Sequence, residues 1–591
     1  MTHRIEITIS ATLTSPFILP GLASPVLGVD TSALRNEQKH PVIPSDQVKG
    51  LLRAAMVSLE EAGAASKQDI IDLFGGPSSK AIETGEGNIP ARGTLITGDL
   101  LDIRANPSIK HENTLTRIAI DRQTGSVQRG ALQVIELVAP LGEQVELVGT
   151  AILYANPDAA QRWVSLLEKA WALVPAVGSG KSAGFGRVVA QSLRAKSRSL
   201  ILPPLEKTEY PSTVWLDVTF DRRLLVDAQR LSDNVWCGST IIPGTVLKGA
   251  LARALELAGE KPAVGPLGDA LQTIRVSHAF PLDDVGAELD LPIPLSAVRL
   301  DGERCVRDVL LVRPGAVPLG ANGELPAYQG DWKGRGEAGA LPQASEITAS
   351  PRLHTQIGEN YTAADGDLYG DIGLSPWLDP GQGIKRRWRL RIDRCEADQD
   401  WYARFLDLLL KRGLDGIGKT GASAKIVRVE TVSAPSVQPV APDTQLWAVT
   451  LITPTMMLPQ TELPDDAEAL KRAYADYWSK ALGEACHLRR FFATHRLAGG
   501  YIGIRRRHFG AGQYRPFVLT EPGSVFLLAG NLEQRLQRLM GQGLPAHGAT
   551  RQDWRTCSFL PENGFGDFRL NLIDHRALSK GIAAIDLGGE A

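Results

Sequence analysis

The chain has 591 residues, of which 43% are hydrophobic and 22% charged, so it can form several packed domains and is neither disordered nor fibrous. Its 64 Lys and Arg nearly balance its 66 Asp and Glu, so any nucleic-acid surface must be a local patch. The five cysteines form no CxxC pair, which argues against zinc and against a disulfide framework.

The N-terminal stretch MTHRIEITISATLTSPF alternates apolar and polar residues and predicts a β-strand. It lacks the apolar core of a signal peptide, and no later run is long enough to span a bilayer. We therefore expect a cytoplasmic protein without a membrane partner.

An internal repeat follows the first strand. Residues 41–56 read PVIPSDQVKGLLRAAM and residues 241–255 read IIPGTVLKGALARAL. Each predicts a strand that stops at a proline and then a helix, with Ser45 and Asp46, or Gly244 and Thr245, capping its first turn. Both helices carry basic residues that are candidates for phosphate contact or for a solvated helix face: Lys49, Arg53, Lys248 and Arg253.

Two glycine-rich segments form a second repeated pair, VGSGKSAGFGRVV at 177–189 and DGIGKTGASAKIVRV at 415–429. The letters GLDGIGKT at 413–420 match a phosphate-binding loop, but such a loop lies after a strand and before a helix. Here a helical pattern precedes and a strand pattern follows, so we predict tight helix-to-strand turns and no nucleotide. Such turns also let the backbone approach a sugar-phosphate chain. The candidate RNA-binding residues in them are Gly178, Gly180, Lys181, Gly184, Gly186, Arg187, Gly416, Gly418 and Lys419.

The remaining segments complete three units. Residues 116–138 and 354–374 each predict a polar hairpin, and the Gly- and Pro-rich stretch 313–350 predicts an inserted loop. A third unit follows a Pro-rich linker, with strands from Leu446 and a helix over 467–482. Its basic and aromatic run could bind unpaired bases or be an exposed hairpin without function; it contains Tyr501, Arg505, Arg506, Arg507, His508, Phe509 and Tyr514.

The strand, the Ile-Pro turn into a Lys-Gly helix and the late loop ending GFGRV together resemble CRISPR proteins of the RAMP superfamily. The resemblance implies an α+β chain of tandem ferredoxin-like, RRM-like domains, which we expect at 1–203, 204–440 and 441–591. The first resembles the backbone subunit of type III effectors. The rest is similar to the large RAMP subunit of type III-D systems, so the chain looks like a fusion of the two.

The resemblance also implies a target-RNA cutting residue, an aspartate in the loop before the Ile-Pro turn. Asp30 takes that position in GVDTSALRNEQKHPVIP and would bind Mg or Mn or orient the ribose hydroxyl. Its alternative role is to cap a surface loop. In the second unit the same interval before Pro243 falls on Gln229, which leaves Asp227 unaligned and Asp233 as the weaker second candidate.

The function implied is a type III effector subunit that binds guide CRISPR RNA and target RNA and cuts the target. Its partners would be other effector subunits, including a large polymerase-type subunit, because this chain has no GGDD motif and no N-terminal HD pair. Two alternatives stay open. One is a noncatalytic scaffold that grips the 5' handle of the guide, and the other is an endoribonuclease that processes guide RNA.

Overall fold

The computed structural model describes residues 3–21, 28–76, 93–104, 113–202, 209–227, 229–232, 234–288, 290–299, 306–312, 316–319, 323–324, 347–357, 363–431, 438–459, 464, 466–500, 516–553, 556–582 and 584–586. Among their sheets are three antiparallel ones that each pack helices around a separate hydrophobic core, and these define three units. The mixed helix-and-strand composition that the sequence predicts is confirmed. None of the described helices combines the length and hydropathy needed to cross a bilayer.

The first unit is built on the sheet β2-β4-β7-β1-β8. The N-terminal strand is observed as predicted, and its alternate residues from Ile5 to Leu13 are buried against the helices. The elements are β1 (His3–Thr14), β2 (Val42–Ile43), α1 (Ser45–Glu61), α2 (Lys67–Phe74), β3 (Leu95–Thr97), β4 (Leu100–Asp102), β5 (Thr114–Arg117), β6 (Gln133–Glu136), β7 (Gln144–Ala155), α3 (Pro157–Ala172) and β8 (Val188–Ser199).

The second unit repeats this plan around the sheet β12-β21-β9-β23-β22. Its first elements are β9 (Thr213–Phe220), β10 (Gln229–Ser232), β11 (Val235–Cys237), α4 (Gly244–Leu257), α5 (Gly265–Thr273), β12 (Arg275–Val276), β13 (Phe280–Pro281), β14 (Ala297–Val298), β15 (Arg307–Asp308) and β16 (Ala316–Pro318). It continues with β17 (Ala349–Ile357), β18 (Ala363–Leu374), β19 (Trp377–Asp379), β20 (Ile384–Lys385), β21 (Trp388–Asp393), α6 (Gln399–Arg412), β22 (Leu414–Ile417) and β23 (Ala422–Glu430).

The third unit has the shortest sheet, ordered β25-β28-β24-β29. The helix predicted at 467–482 is confirmed. The elements are β24 (Leu446–Leu451), α7 (Ala467–Leu482), β25 (His487–Phe492), β26 (His495–Ala498), β27 (Phe517–Thr520), β28 (Val525–Ala529), α8 (Glu533–Gln542), β29 (Phe568–Leu570), α9 (His575–Ser579) and β30 (Ala584–Asp586).

The same strand order recurs in all three sheets. The first strand of each unit, β1, β9 or β24, lies between the strand that precedes the second long helix and the strand that follows it. The strand after the first helix (β4, β12 or β25) lies on the outer side of the strand that precedes the second helix (β7, β21 or β28). Each unit is therefore a βαβ–βαβ arrangement with two crossing connections. The internal repeat read from two units therefore extends to a third.

Both predicted hairpins are confirmed. In the first hairpin (114–136) β5 pairs with β6, and in the second hairpin (349–374) β17 pairs with β18. The stretch 313–350 is described only in short pieces, among which β16 pairs with β30 of the third unit.

The helix starts differ from the sequence prediction. Pro44 and Pro243 themselves occupy the N-cap positions, and neither α1 nor α4 has a side-chain cap from its own first turn. Instead the Ser45 amide donates to Asp99 Oδ1 at 2.8 Å, and the Gly244 amide donates to His278 Nδ1 at 3.3 Å. A distant side chain thus satisfies each helix start, because the first amides of a helix have no partner within it.

Gly244 also has no room for a side chain. A Cβ at this position would overlap the carbonyl oxygens of Val276 and Asn563, and Asn563 belongs to the third unit. The start of α4 therefore contacts the backbone of another unit directly.

Candidate nucleic-acid interface

The segment between β1 and α1 carries Asp30 to the base of the first hairpin. Asp30 is exposed, its backbone amide donates to the Val134 oxygen at 2.8 Å, and its Oδ2 accepts the Val134 amide at 2.7 Å. Among the residues that the structure describes, Oδ1 accepts no hydrogen bond. One carboxylate oxygen thus anchors the hairpin and the other faces solvent.

Asp30 is the carboxylate that the described residues offer to a metal at this position. No group of three or more His, Cys, Asp or Glu able to hold an ion occurs within the described ranges. Mg²⁺ usually keeps several waters and binds proteins through one or two carboxylates plus a substrate phosphate, so the Asp30 carboxylate fits such an ion.

Asp233, the weaker candidate, lies outside the described residues, but its neighbour Asn234 is described. The Asn234 oxygen accepts the Gly370 amide at 2.8 Å, as the Thr31 oxygen accepts the Glu136 amide at 2.8 Å. Both are parallel pairings of the segment before the helix with the second strand of a hairpin. Asn234 and Thr31 thus make the same kind of backbone contact with their hairpins.

The first glycine loop (177–187) is a tight turn after α3. Val177 and Gly186 are hydrogen-bonded to each other at 2.9 Å, and a Cβ at Gly178 would overlap the Ile18 oxygen. Gly180, Gly184 and Gly186 also have positive φ, which glycine adopts without strain. Lys181 and Arg187 at this loop are exposed, and burial lowers the pKa of Lys181.

The second glycine loop (413–421) confirms the reversed order of the phosphate-loop look-alike, since α6 precedes it and β22 and β23 follow. Gly416 and Gly418 have positive φ, and Gly421 packs against Ile96 of the first unit. The Lys419 ammonium lies over the Tyr369 ring, 4.9 Å from its centroid. This loop lies at the junction of the first two units.

The four helix cations have different surroundings. Lys49 is half-buried on α1 and Arg53 is exposed, while Arg253 pairs with Glu256 at 2.6 Å. Lys248 is buried and donates to the oxygens of Gln272, Ile274 and Glu562. Burial lowers its pKa to about 7. With its donors on backbone carbonyls, Lys248 joins the second and third units and has no exposed face for phosphate. The arginines 505 to 507 and the aromatic residues around them lie outside the described residues.

Sequence reasoning missed a charged cluster between the first two units, which we call the junction cluster: Asp46, Asp99, Arg223, Arg352, His354, Tyr369, Asp371 and Lys419. Arg352 donates to both oxygens of Asp99, at 2.9 and 2.5 Å. His354 faces Asp46 at 3.1 Å and Asp371 at 2.9 Å. The available signal was the alternation of Arg352 and His354 on one strand, but their partners Asp99 and Asp46 lie in the first unit, hundreds of residues away.

Comparison with protein families identifies part of the chain. Residues 10–189 match the model of the RAMP superfamily. This range is therefore similar to the RAMP superfamily, and we call residues 10–189 the RAMP domain. The RAMP domain includes the end of β1, the helices α1, α2 and α3, the first hairpin, Asp30 and the first glycine loop.

Two solved structures are similar to the chain. One is a chain of the Type III-B Cmr-beta complex bound to cognate target RNA and AMPPnP, with 13% identity over 53% of this chain and 86% of that chain and a TM-score of 0.27. The other is a chain of Cmr-beta bound to cognate target RNA, with 14% identity over 34% of this chain and 61% of that chain and a TM-score of 0.24. TM-scores of this size do not establish a shared arrangement of the whole chain. A search of curated proteins found no match.

Proposed function

We propose that the chain is a subunit of a type III CRISPR effector, of the III-D kind, that binds guide RNA and cuts paired target RNA at Asp30. The observation that carries the proposal is the placement of Asp30 within the RAMP domain. An exposed carboxylate oxygen lies where the segment before α1 meets the first hairpin. A divalent ion, Mg or Mn, held there by Asp30 would supply charge neutralisation at the scissile phosphate.

The recurring strand order supports three tandem ferredoxin-like units as the scaffold. We assign them to the ranges 1–203, 204–440 and 441–591. The first glycine loop supports guide contact, because its exposed Lys181 and Arg187 lie beside backbone that glycines leave uncovered. The second glycine loop and the glycine turn at 563–567 of the third unit, which we call the third glycine loop, instead contact a neighbouring unit: Gly421 lies against Ile96, and Gly564 lies against His278.

This head-to-tail contact supports other effector subunits as partners. Each later unit places its glycine loop on the unit before it, whereas residues 181–184 of the first loop are exposed. A subunit with a comparable helix-start face would fit there.

Asp233 is the weaker second cutting candidate. It directly precedes Asn234, whose oxygen bonds to the second hairpin as the Thr31 oxygen bonds to the first. Counting back from Pro243 by the interval between Asp30 and Pro44 falls on Gln229 instead.

The testing experiment is cleavage of labelled RNA complementary to the guide, by the reconstituted complex with Mg or Mn, comparing wild type with Asp30→Asn. Asparagine keeps an oxygen that can accept the Val134 amide but removes the charge, so we expect loss of one cut with guide binding intact. A fall of about 10²-fold or more in that cut is the scale expected for a removed charged catalytic group. Asp121→Asn is the matched control, because Asp121 is a half-buried carboxylate on the same hairpin that also accepts backbone amides.

A noncatalytic scaffold is the second candidate, and the hydrogen bond between Asp30 and Val134 favours it. If Asp30→Asn cuts normally while Asp30→Ala loosens the hairpin, the carboxylate serves to hold the hairpin and the scaffold function is the better one.

A further inference from the structure

The second hairpin supports the start of helix α1. Arg352 and His354 lie two residues apart on β17, so their side chains project from the same face of the strand. Arg352 holds Asp99, and Asp99 in turn accepts the Ser45 amide at the first turn of α1. His354 pairs with Asp46, which is the next residue of the helix. Two adjacent residues of the first unit are thus fixed by one strand of the second.

His354 is held on both sides. Its Nδ1 faces Asp46 and its Nε2 faces Asp371, and an imidazole can donate from both nitrogens only when it is protonated. Burial opposes the charged form, but the hydrogen bonds and charges of Asp371 and Asp46 outweigh it and raise the pKa of His354 to about 9. His354 is therefore a cation at neutral pH.

The groups around His354 alternate in charge. Tyr369 stacks on its ring at a centroid distance of 4.8 Å, and Lys419 covers the Tyr369 ring. Asp371 also pairs with Arg223, and Arg352 pairs with Asp99. The cations are therefore His354, Arg352, Arg223 and Lys419, and the anions are Asp46, Asp99 and Asp371.

The segment from Asp30 to Ser45 is attached at both ends. Asp30 is bonded to Val134 of the first hairpin, and Ser45 is bonded through Asp99 to Arg352. Between them, Gln38 Nε2 donates to the Pro380 oxygen of the second unit at 3.3 Å. A shift of the second hairpin would therefore move the Ser45 end of this segment, whose other end carries Asp30.

We propose that Arg352 and His354 are positioning residues: by clamping the start of α1 to the second hairpin, they set the placement of the Asp30 segment for target cutting. The cutting role rests on the function proposed above, whereas the clamp itself does not.

The first experiment measures hydrogen exchange of the amides at 45–56 in the full chain between pH 6.5 and 9.5, corrected for the intrinsic pH dependence of exchange. We expect slow exchange in the wild type at pH 7 that accelerates as pH rises through about 9. His354→Gln should exchange fast at every pH, and His354→Arg, which stays charged, should exchange slowly at every pH. His487→Gln is the matched control, since His487 is exposed on β25.

Asp46→Asn provides a second variant that leaves the buried side of the cluster intact, since the Asp46 side chain is 63% exposed. It should move the acceleration of exchange to lower pH. Wild-type exchange in both His354→Gln and Asp46→Asn would overturn the clamp.

The second experiment measures single-turnover cleavage by the complex loaded with guide. His354→Gln should slow the Asp30-dependent cut about ten- to a hundredfold, the scale of a small misplacement, with guide affinity unchanged and the rate restored in His354→Arg. Fast exchange with unchanged cutting would overturn the positioning role. If the Asp30→Asn variant cuts normally, both the proposed function and the positioning role fail. The hydrogen-exchange data would still show whether Arg352 and His354 clamp the start of α1.

Discussion

The two junctions between units are built from different chemistry. The first joins the first and second units through the junction cluster, in which side chains pair with side chains and Asp46 is largely exposed. The second joins the second and third units through buried cations. Arg275 is fully buried, pairs with Asp393 and Asp567 and donates to the Pro561 oxygen, while Lys248 binds three carbonyls.

The difference teaches that similar units need not be joined with similar strength. A charge buried away from water is costly to leave without its partner, whereas an exposed pair contributes little and is screened by salt. We therefore expect the fully buried pairs of Arg275 at the second junction to be the costliest to break, and the pair of His354 with the largely exposed Asp46 at the first junction to be the least costly.

The largest effect should come from Arg275→Met. It leaves Asp393 and Asp567 buried without this cation, which typically costs about 3–5 kcal/mol. Denaturant unfolding of the full chain would measure the loss. Arg551→Met, which breaks a pair with Glu396 that is 47% and 72% exposed, should cost about 1 kcal/mol or less. Both pairs join the second and third units, so equal losses in the two variants would contradict the distinction between buried and exposed ion pairs.

A smaller effect is expected from Arg352→Gln in the first junction. Asp99 would lose two hydrogen bonds but keep the one from Ser45, so the loss should be about 1–3 kcal/mol. A double-mutant cycle with Asp99→Asn measures the pair itself. Additive losses would mean that Arg352 and Asp99 are not coupled.

The smallest effect is a pH dependence of opposite sign at the two junctions. The raised pKa of His354 stabilises the first junction fully below about pH 6.5, and this contribution falls as pH rises through about 9. The lowered pKa of Lys248 makes its burial most costly below about pH 7, so the second junction gains stability above that pH. Each slope should be about 1 kcal/mol per pH unit between pH 7 and 9.

Hydrogen exchange at each junction would separate the two slopes. His354→Gln should remove the falling slope and Lys248→Met the rising one, each without changing the other. Slopes of the same sign at both junctions would contradict these assignments.

Local pattern was enough to predict the elements that depend on neighbouring residues. The strand from His3, the helix at 467–482 and both hairpins follow from apolar periodicity and turn residues, and all are observed. The order of a helix before GLDGIGKT and a strand after it could be predicted for the same reason.

What the sequence could not predict depends on contacts between distant residues. Lys49 and Lys248 occupy matching places in the repeat, yet only Lys248 meets the Glu562 carbonyl, 314 residues away. The cap of α1 comes from Asp99, 54 residues after Ser45, so the local capping prediction was wrong. Asp30 was found by resemblance, and its cutting role stays a prediction.

The residue type at the first position of α1 and of α4 indicates how closely another segment of backbone approaches that helix start. A side chain at Gly244 would overlap the Asn563 backbone, while Ser45 in the matching place of the first unit is hydrogen-bonded to the side chains of Asp99 and Thr97. The departure from Ile-Pro-Gly in the first unit thus marks a looser fit. In related chains, glycine at this place would indicate a helix start pressed against another backbone, and serine one reached by side chains.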